Sequence, residues 1–418
     1  MISKNLFLRL LSGIREGSLE LACEDGAALR YGQPGETPSA RLDVHHPRFY
    51  RSALRGDVTL GEAYMDGHWS TPDLVSLIRV AVRNLALFEQ SGTFLAKLRH
   101  VWNKLSYRRN DASVAASRRN IQAHYDLSND FFRLFLDRSM MYSCAWFDTT
   151  DDTLERAQLQ KLDRICRKLD LRPGDHVLEI GTGWGAFALH AVRNYGCRVT
   201  TTTISDQQFQ HARALFDSNR EGDRIELLLQ DYRHLSGEYD KIVSIEMFEA
   251  VGYDNYDTFF GCCDRLLKRD GSMLLQTIVM NDQNFPAYRR KADWIQKYIF
   301  PGSELASLTG ILRSLGRSTR LSMFHAEDMG AHYARTLAEW RSRFNASLDD
   351  IRALGFDQRF IRMWDYYLAY CEAAFLERHI SDFQLILTKT HNRQALIGEP
   401  WRSDVSAKVS VQAAGRLR

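Results

Sequence analysis

The chain has 418 residues, which is longer than one average domain and favours two. Its formal net charge of +3 excludes the composition of a general nucleic-acid-binding protein, although local basic clusters could still meet an anionic surface. The seven cysteines form no C-x-x-C pair, so we expect neither a disulfide framework nor a metal cluster, and a reducing cytoplasm fits.

The first block, residues 1–95, is predicted to be a small α+β module. It opens on an amphipathic helix within residues 1–11, which either packs on its own domain or lies on a membrane surface. Two alternating runs predict strands at 18–21 and 28–31. Two helical patterns follow them, near 47–56 and 72–87. No stretch approaches the roughly 20 apolar residues of a membrane span, and the N-terminus lacks a signal-peptide cleavage pattern.

The next segment, 96–120, is strongly basic. Its charged residues are seven bases and one acid, namely Lys97, Arg99, Lys104, Arg108, Arg109, Arg118, Arg119 and Asp111. Because Trp102 and Tyr107 interleave with the bases, two interpretations stay open. The segment is either a solvated linker or a helix at an anionic lipid surface.

From about residue 150 the pattern alternates between helices and strands. The predicted elements are helix 151–170, strand 175–180, helix 184–195, strand 197–202, helix 205–218, and strands near 224–229, 240–245 and 273–279. Such alternation predicts a parallel sheet with helices on both faces. The segment 286–390 is predicted to be mainly helical, and its many aromatic residues serve either as the roof of an acyl channel or as core packing.

A glycine-rich turn, Gly181-Thr182-Gly183-Trp184-Gly185, follows the first strand of this unit and opens a helix. Ligands bind at this end of a parallel sheet, where glycines let backbone N–H groups approach them. The short spacing disfavours a dinucleotide.

Polar residues follow the next two strands. Thr203 and Gln208 could hold a ribose, and Asp231 and Tyr232 could hold an adenine. The sequence therefore predicts a nucleoside-containing ligand at this edge of the sheet.

The chain resembles the cyclopropane-fatty-acyl-phospholipid synthases, including their mycolic-acid-modifying relatives, over nearly its whole length. The matching stretches, in order, are 56–64, 124–129, 141–145, 181–185, 203–205, 229–232, 247–249, 298–302 and 366–375. The resemblance implies a class I methyltransferase (Rossmann-like) α/β fold, with a mainly parallel seven-stranded sheet and a helical insertion. It also implies an accessory N-terminal domain for lipid binding or dimerisation (1–95), a basic linker (96–120), a catalytic domain (121–392) and a flexible tail (393–418).

The resemblance further implies S-adenosylmethionine as the methyl donor. The matching cofactor positions are Tyr142, Ser143, Glu179, Gly181, Gly183, Gly185, Thr203, Gln208, Asp231 and Tyr232. It implies a bicarbonate ion beside the reacting methyl group, at Cys144, Glu249, Ile278 and Tyr333.

Two positions of this predicted active site depart from the best-known bacterial pattern, and a third matches a cysteine of the family. Gln276 stands where the best-known bacterial members have histidine, and an amide can still donate a hydrogen bond to an anion. Glu249 is followed by alanine rather than histidine. Cys371 matches a suspected cysteine of the family, but since nothing local lowers its pKa we expect it to be a packing residue.

The function implied is transfer of a one-carbon unit to the double bond of an unsaturated phospholipid acyl chain, with closure of a cyclopropane ring. Three alternatives stay open: methylation without ring closure, N-methylation of an amine, and a non-catalytic lipid-binding protein that retains cofactor affinity. We expect unsaturated phospholipids as partners, a homodimer, and a cytoplasmic enzyme at the inner face of the membrane.

Overall fold

The computed structural model describes residues 2–90, 128–290 and 292–393. The predicted boundary at residue 95, the basic linker and nearly all of the predicted tail lie outside the described residues.

The N-terminal block forms a four-stranded sheet covered by helices. The strands are β1 (Ser18–Ala22), β2 (Ala28–Gly32), β3 (Ser39–Val44) and β4 (Trp69–Ser70), in the order β2-β1-β3-β4. The helices are α1 (Ile2–Leu11), α2 (Arg48–Ala53), α3 (Asp57–Met65), α4 (Leu74–Arg83) and α5 (Leu85–Gln90). Alternate residues of β1, Leu19 and Leu21, are buried, as the period of two in the sequence predicts.

This block packs against later helices of the same chain. Tyr64 on α3 donates a hydrogen bond to Asp365 at 2.8 Å. Arg79 and Arg83 on α4 pair with Glu377 at 2.6 and 2.7 Å. The buried core is continuous across these contacts.

The larger part of the chain is built on a seven-stranded sheet. Its strands are β5 (His176–Ile180), β6 (Arg198–Thr203), β7 (Ile225–Leu229), β8 (Tyr239–Ile245), β9 (Leu267–Met280), β10 (Leu321–Asp328) and β11 (Ile380–Lys389), in the order β10-β11-β9-β8-β5-β6-β7. β5 pairs in parallel with β6 and β8, and the same holds for β6 with β7 and β8 with β9. β11 runs antiparallel to both of its neighbours. The predicted α/β fold with a mainly parallel sheet is confirmed.

Helices cover both faces of this sheet. They are α6 (Asn129–Arg133), α7 (Leu154–Lys168), α8 (Ala186–Tyr195), α9 (Asp206–Asp217), α10 (Tyr256–Leu266), α11 (Phe285–Tyr288), α12 (Trp294–Tyr298), α13 (Leu308–Ser318), α14 (Gly330–Ala346), α15 (Leu348–Ala353) and α16 (Gln358–Leu376). Side-chain caps fix where several of them begin. Thr153, Ser205 and Asp357 each accept a hydrogen bond from a backbone N–H in the first turn of α7, α9 and α16.

The predicted helical segment 286–390 is indeed mainly helical, but it also supplies the last two strands, β10 and β11. Most of β10 is exposed or half-buried, so it lacks the apolar run that marks the central strands. β9 is also longer than the predicted strand at 273–279, because it continues directly from the end of α10. Among the described helices, none is both long enough and apolar enough to cross a membrane.

Candidate active site

The glycine loop lies at the carboxyl end of β5, in the middle of the sheet. Gly181, Gly183 and Gly185 have φ angles of 102°, 53° and 94°, which side-chain-bearing residues rarely adopt. A Cβ atom added at Gly181 would lie 3.1 Å from the Met247 side chain, whereas one added at Gly183 would have no atom within 4 Å. The loop is therefore packed tightly against the segment after β8 and leaves open space above Gly183.

Hydrogen bonds to β6 hold this loop in place. The backbone N–H groups of Gly181 and Thr182 both donate to the Thr202 carbonyl at 3.0 Å. The Thr201 hydroxyl donates to Glu179 at 2.5 Å and also contacts the Thr182 hydroxyl at 2.7 Å. Burial raises the pKa of Glu179 to about 8.

The other predicted cofactor residues of this edge follow β6 and β7. The Thr203 hydroxyl donates to Gln208 at 2.9 Å, which fixes the amide at the start of α9. Asp231 accepts hydrogen bonds from the backbone N–H and the guanidinium of Arg233, at 2.7 to 2.9 Å. Its carboxylate thus caps the short turn that presents Tyr232.

Tyr142 and Ser143 reach the site from a different part of the chain, the segment between α6 and α7. The hydroxyl groups of Tyr142 and Tyr367 lie 3.0 Å apart. Ser143 is buried and accepts a hydrogen bond from Lys161 at 2.7 Å. The open backbone at Gly183, with polar residues after three successive strands, fits an S-adenosylmethionine molecule at this edge.

A cluster of carboxyl groups lies beside the loop, and its centre is Glu246, the first residue after β8. Glu246 Oε1 accepts hydrogen bonds from the Cys144 N–H at 2.7 Å and from the Gln276 amide at 2.8 Å. Glu246 Oε2 accepts one from the Tyr333 hydroxyl at 2.6 Å. Two of the four residues predicted to hold a bicarbonate ion, Cys144 and Tyr333, therefore donate to a side chain of the protein instead, as does Gln276.

Glu249, which follows one short turn later, binds the neighbouring strand. Its Oε1 accepts hydrogen bonds from the Thr277 hydroxyl at 2.9 Å and the Ile278 N–H at 2.6 Å. Its Oε2 is shielded from solvent and has no hydrogen-bond partner among the described residues. Burial and, next, the charge of Glu246 raise the pKa of Glu249 to about 7.

Gln276 connects this cluster to a buried polar chain across β11. Its amide nitrogen also donates to Asp382 at 2.9 Å, and its amide oxygen accepts a hydrogen bond from Gln384 at 3.0 Å. Gln384 in turn accepts one from Lys168 at 2.6 Å. Since both donors and the acceptor of Gln276 are satisfied, its orientation is fixed by the fold.

Among the described residues of this cluster, buried carboxyl groups outnumber buried cations. Burial raises the pKa of Glu246, and burial followed by the charge of Glu246 raises the pKa of Asp382. Lys161 is the buried cation whose charge opposes theirs, and burial lowers its own pKa to about 8. The site is therefore poised to exchange protons near neutral pH.

The predicted bicarbonate ion does not fit this arrangement as it stands. The Cys144 N–H, the Gln276 amide and the Tyr333 hydroxyl already donate to Glu246, and the Ile278 N–H already donates to Glu249. We therefore derive no step through bicarbonate.

Cys371 does not join the cluster through any hydrogen bond that the structure describes. It lies on α16, half-buried against the aromatic core, and burial raises its pKa so that the thiol stays protonated. Cys144 is fully buried, and its contact with the cluster is through its backbone N–H.

Sequence reasoning missed Glu246, Asp382 and Lys161. Glu246 carried a local signal, because it comes directly after a parallel strand and three residues before Glu249. Asp382 carried none, since it reaches the site only through the antiparallel register that places it opposite Ile278.

Aromatic rings enclose the cluster on the side of α14 and α16. Tyr333 stacks on Phe375, with ring centroids 4.5 Å apart. Tyr142 lies 5.3 Å from Trp340 and 6.2 Å from Phe300. The site therefore has aromatic rings along one side and buried carboxyl groups at its centre.

A family model described as mycolic acid cyclopropane synthetase matches residues 112–385. The chain belongs to this family. Relatives that it resembles include the tuberculostearic acid methyltransferase UfaA1 of Mycobacterium tuberculosis, 38% identical over 89% of this chain and 88% of that protein. The cyclopropane-fatty-acyl-phospholipid synthase of Escherichia coli is 37% identical, over 88% of this chain and 92% of that protein.

Solved structures agree with this membership. The mycolic acid cyclopropane synthase CmaA1, complexed with SAH and CTAB, is 34% identical with a TM-score of 0.61, over 65% of this chain and 98% of that chain. A coclaurine N-methyltransferase, 22% identical with a TM-score of 0.61 over 79% of this chain and 99% of that chain, shares the fold. This mycolic acid cyclopropane synthetase family member is a class I, S-adenosylmethionine-dependent methyltransferase.

Proposed function

We propose that the enzyme adds the methyl carbon of S-adenosylmethionine to the double bond of an unsaturated phospholipid acyl chain and closes a cyclopropane ring. The observation that carries this proposal is the placement of the buried carboxyl cluster directly beside the glycine loop, inside an aromatic enclosure. The similarity to the cyclopropane-fatty-acyl-phospholipid synthase of Escherichia coli supports the choice of acceptor.

The chemistry makes three demands on the protein, and the first two concern the positive charge and the proton. S-adenosylmethionine supplies a strongly electrophilic methyl group, and its transfer to an alkene leaves positive charge on a carbon of the acyl chain. Aromatic faces such as those of Tyr142 and Trp340 stabilise such charge, by roughly 0.5–2 kcal/mol each. A base must then remove a proton from the new methyl group, and the carboxyl cluster contains such bases.

Exclusion of water is the third requirement, because water would convert the cation to an alcohol. Trp340 and Trp364 are fully buried between α14 and α16. The aromatic residues of segment 286–390 thus supply the packing that separates the cluster from solvent, and we propose that the acyl chain lies along them.

Methylation without ring closure is the second candidate function. It is favoured by the similarity to a protein named as a tuberculostearic acid methyltransferase rather than as a cyclopropane synthase. In that reaction the cluster would remove a proton from another carbon, which leaves a methyl-substituted alkene, or would remove one from the transferred methyl group after a hydride shift along the chain, which leaves an exomethylene group.

Deuterium labelling separates the two candidates. The enzyme is incubated with S-adenosylmethionine that carries a CD3 group and with vesicles of an unsaturated phospholipid, and the product acyl chains are measured by mass spectrometry. Ring closure removes one deuterium and leaves two, whereas a methyl-substituted alkene, formed by loss of a proton from another carbon, keeps three. An exomethylene product also keeps two, but mild hydrogenation reduces it and leaves a cyclopropane intact. Product that keeps all three deuterium atoms would refute ring closure.

We also propose that the enzyme works as a homodimer at the inner face of the cytoplasmic membrane, with the N-terminal block as the lipid-binding or dimerising module. On α1, Phe7 and Leu11 face the core while Ile2 and Leu6 are 86% and 45% exposed, which leaves apolar side chains for a lipid surface. Sedimentation with anionic vesicles tests this setting, and loss of binding on Leu6→Glu is the expected result. Unchanged sedimentation of that variant would refute the role of α1.

A further inference from the structure

We propose that the carboxylate of Glu246 is the enzyme's own built-in anion, which takes the position expected for bicarbonate and accepts the proton released on ring closure. This inference rests on the proposed function, because it names the base of that reaction. It assigns a catalytic role to a residue that the sequence alone did not single out.

The first support is the set of hydrogen bonds. A free anion at this position would need the Cys144 N–H, the Gln276 amide and the Tyr333 hydroxyl as donors. All three donate to the two oxygens of Glu246, at 2.6 to 2.8 Å. An external ion would have to displace this carboxylate to obtain the same donors.

The second support is the backbone at Glu246, which has a φ angle of 47°. This left-handed conformation is uncommon for a residue with a side chain, and such strain is concentrated at functional sites. The Glu246 N–H donates to the Gln276 carbonyl at 2.8 Å, so the strained residue is fixed to β9. The fold therefore directs this side chain into the cluster, although glycine would suit the backbone better.

The third support is the position relative to the methyl donor. Met247, the next residue, lies within 3.1 Å of the place where Gly181 would carry a Cβ atom. Glu246 is thus adjacent to the loop that we assign to S-adenosylmethionine.

The step balances without any further reagent. The methyl group is transferred as a cation equivalent, so one C–C bond forms as the S–C bond breaks, and the acyl chain gains a positive charge. A C–H bond of the new methyl group then breaks, and its electron pair forms the second new C–C bond of the ring. The proton goes to the Glu246 carboxylate, which is neutral after the step and returns its proton to solvent before the next turnover.

A carboxylate near a carbocation can also form an ester, and the hydrogen bonds of Glu246 oppose this side reaction. Of the roughly four lone-pair positions of a carboxylate, three are directed at donors. Since the donors belong to β9, α14 and the segment before α7, the oxygens cannot move far towards the acyl chain. A proton on the methyl group needs to travel only a short distance, whereas ester formation needs the oxygen itself to move.

The test compares Glu246→Gly with Glu246→Gln. Glycine suits the φ angle and opens the anion position, while glutamine keeps the position filled without a charge. Turnover with unsaturated phospholipid vesicles is measured in buffer freed of carbon dioxide, with and without added bicarbonate. Glu226→Gln, at an exposed glutamate of β7, is the control, and melting temperatures establish that each variant is folded.

We expect wild-type turnover to be the same with and without bicarbonate. Both Glu246 variants should lose at least about 100-fold in turnover in bicarbonate-free buffer. Added bicarbonate should restore turnover in Glu246→Gly but not in Glu246→Gln, whose side chain blocks the position. A wild-type enzyme that stops when bicarbonate is removed would overturn the inference, as would a Glu246→Gly variant that keeps wild-type turnover without it.

A binding measurement is independent of the substrate. Labelled bicarbonate is titrated, with detection by ¹³C NMR, into enzyme saturated with S-adenosylhomocysteine. Binding by Glu246→Gly but not by wild type supports the inference, and equal binding by both refutes it. If no phospholipid is modified by any variant, the proposed function fails, and the titration still decides which anion occupies the site.

Discussion

Replacement of Glu249 by glutamine should make the stability of the enzyme less dependent on pH. Burial and the charge of Glu246 raise the pKa of Glu249 from 4.5 to about 7. A carboxyl group whose pKa is higher in the folded chain stabilises the fold fully below its unfolded pKa, and this contribution is lost as pH rises through the folded pKa. Glutamine has no proton to lose, yet its amide oxygen can still accept the hydrogen bonds from Thr277 and Ile278.

The size of the effect follows from these two pKa values, 4.5 and about 7. Between about pH 5 and pH 8, the folded wild type should lose roughly 2 to 3 kcal/mol of stability that Glu249→Gln does not lose. For a chain of 418 residues, the entropy of unfolding is about 0.9 kcal/mol per kelvin, so this difference corresponds to a melting-temperature change of roughly 3 °C.

The assay is differential scanning fluorimetry of both proteins at several pH values across that range. The quantity compared is the melting temperature of the variant minus that of the wild type. This difference should become more positive by roughly 3 °C from about pH 5 to pH 8. Glu226→Gln, the same substitution at an exposed residue, is measured alongside as the control. A constant difference for Glu249→Gln would refute the reasoning, because it would mean that the Glu249 carboxyl titrates as it does in the unfolded chain.

Three further outcomes are expected. Tyr333→Phe should lower turnover about 10- to 100-fold, because a hydrogen bond to a charged group is lost, while the S-adenosylmethionine affinity measured by calorimetry stays unchanged. Tyr256→Phe, which removes a buried hydroxyl without a described partner, should leave turnover unchanged. Gly181→Ala should weaken S-adenosylmethionine binding by at least about tenfold, since a φ of 102° strains any side-chain-bearing residue and the new methyl group would press on Met247 at 3.1 Å. Gly174→Ala, which meets open space, should bind normally. Cys371→Ser should retain turnover within about twofold in the vesicle assay, since a protonated packing thiol is no nucleophile, and a loss of 100-fold would contradict that role.

The central sheet could be predicted from the sequence because its signals are local. β5, β6 and β8 are short apolar or threonine-rich runs between clear turns. The helix capped by Thr153 comes before β5, and the helix capped by Ser205 follows β6. β10 carried no comparable signal. It lies at the edge of the sheet, and after Leu321 its side chains are all exposed or half-buried. Its pairing with β11 depends on residues about 60 positions away.

The candidate site was predictable in outline but not at its centre. The resemblance supplied Cys144, Gln276 and Tyr333, and the structure brings them together. The side chain that these three residues surround, Glu246, could not be predicted, because only the tertiary structure places it there. An acidic residue after a strand is more often a helix cap or a surface group. The orientation of Gln276 is similarly non-local, because Gln384 and Asp382 fix it from β11.

Two neighbouring tyrosines on α16 join the N-terminal block to the site. The ring of Tyr366 lies 5.6 Å from that of Tyr64 and 6.5 Å from that of Trp69, while the Tyr367 hydroxyl meets that of Tyr142. One helix, α16, therefore contacts the N-terminal block through one tyrosine and the candidate active site through the next. A fragment that begins after residue 90 would expose the face of α16 that carries Tyr366, so its activity would be a poor guide to that of the whole enzyme.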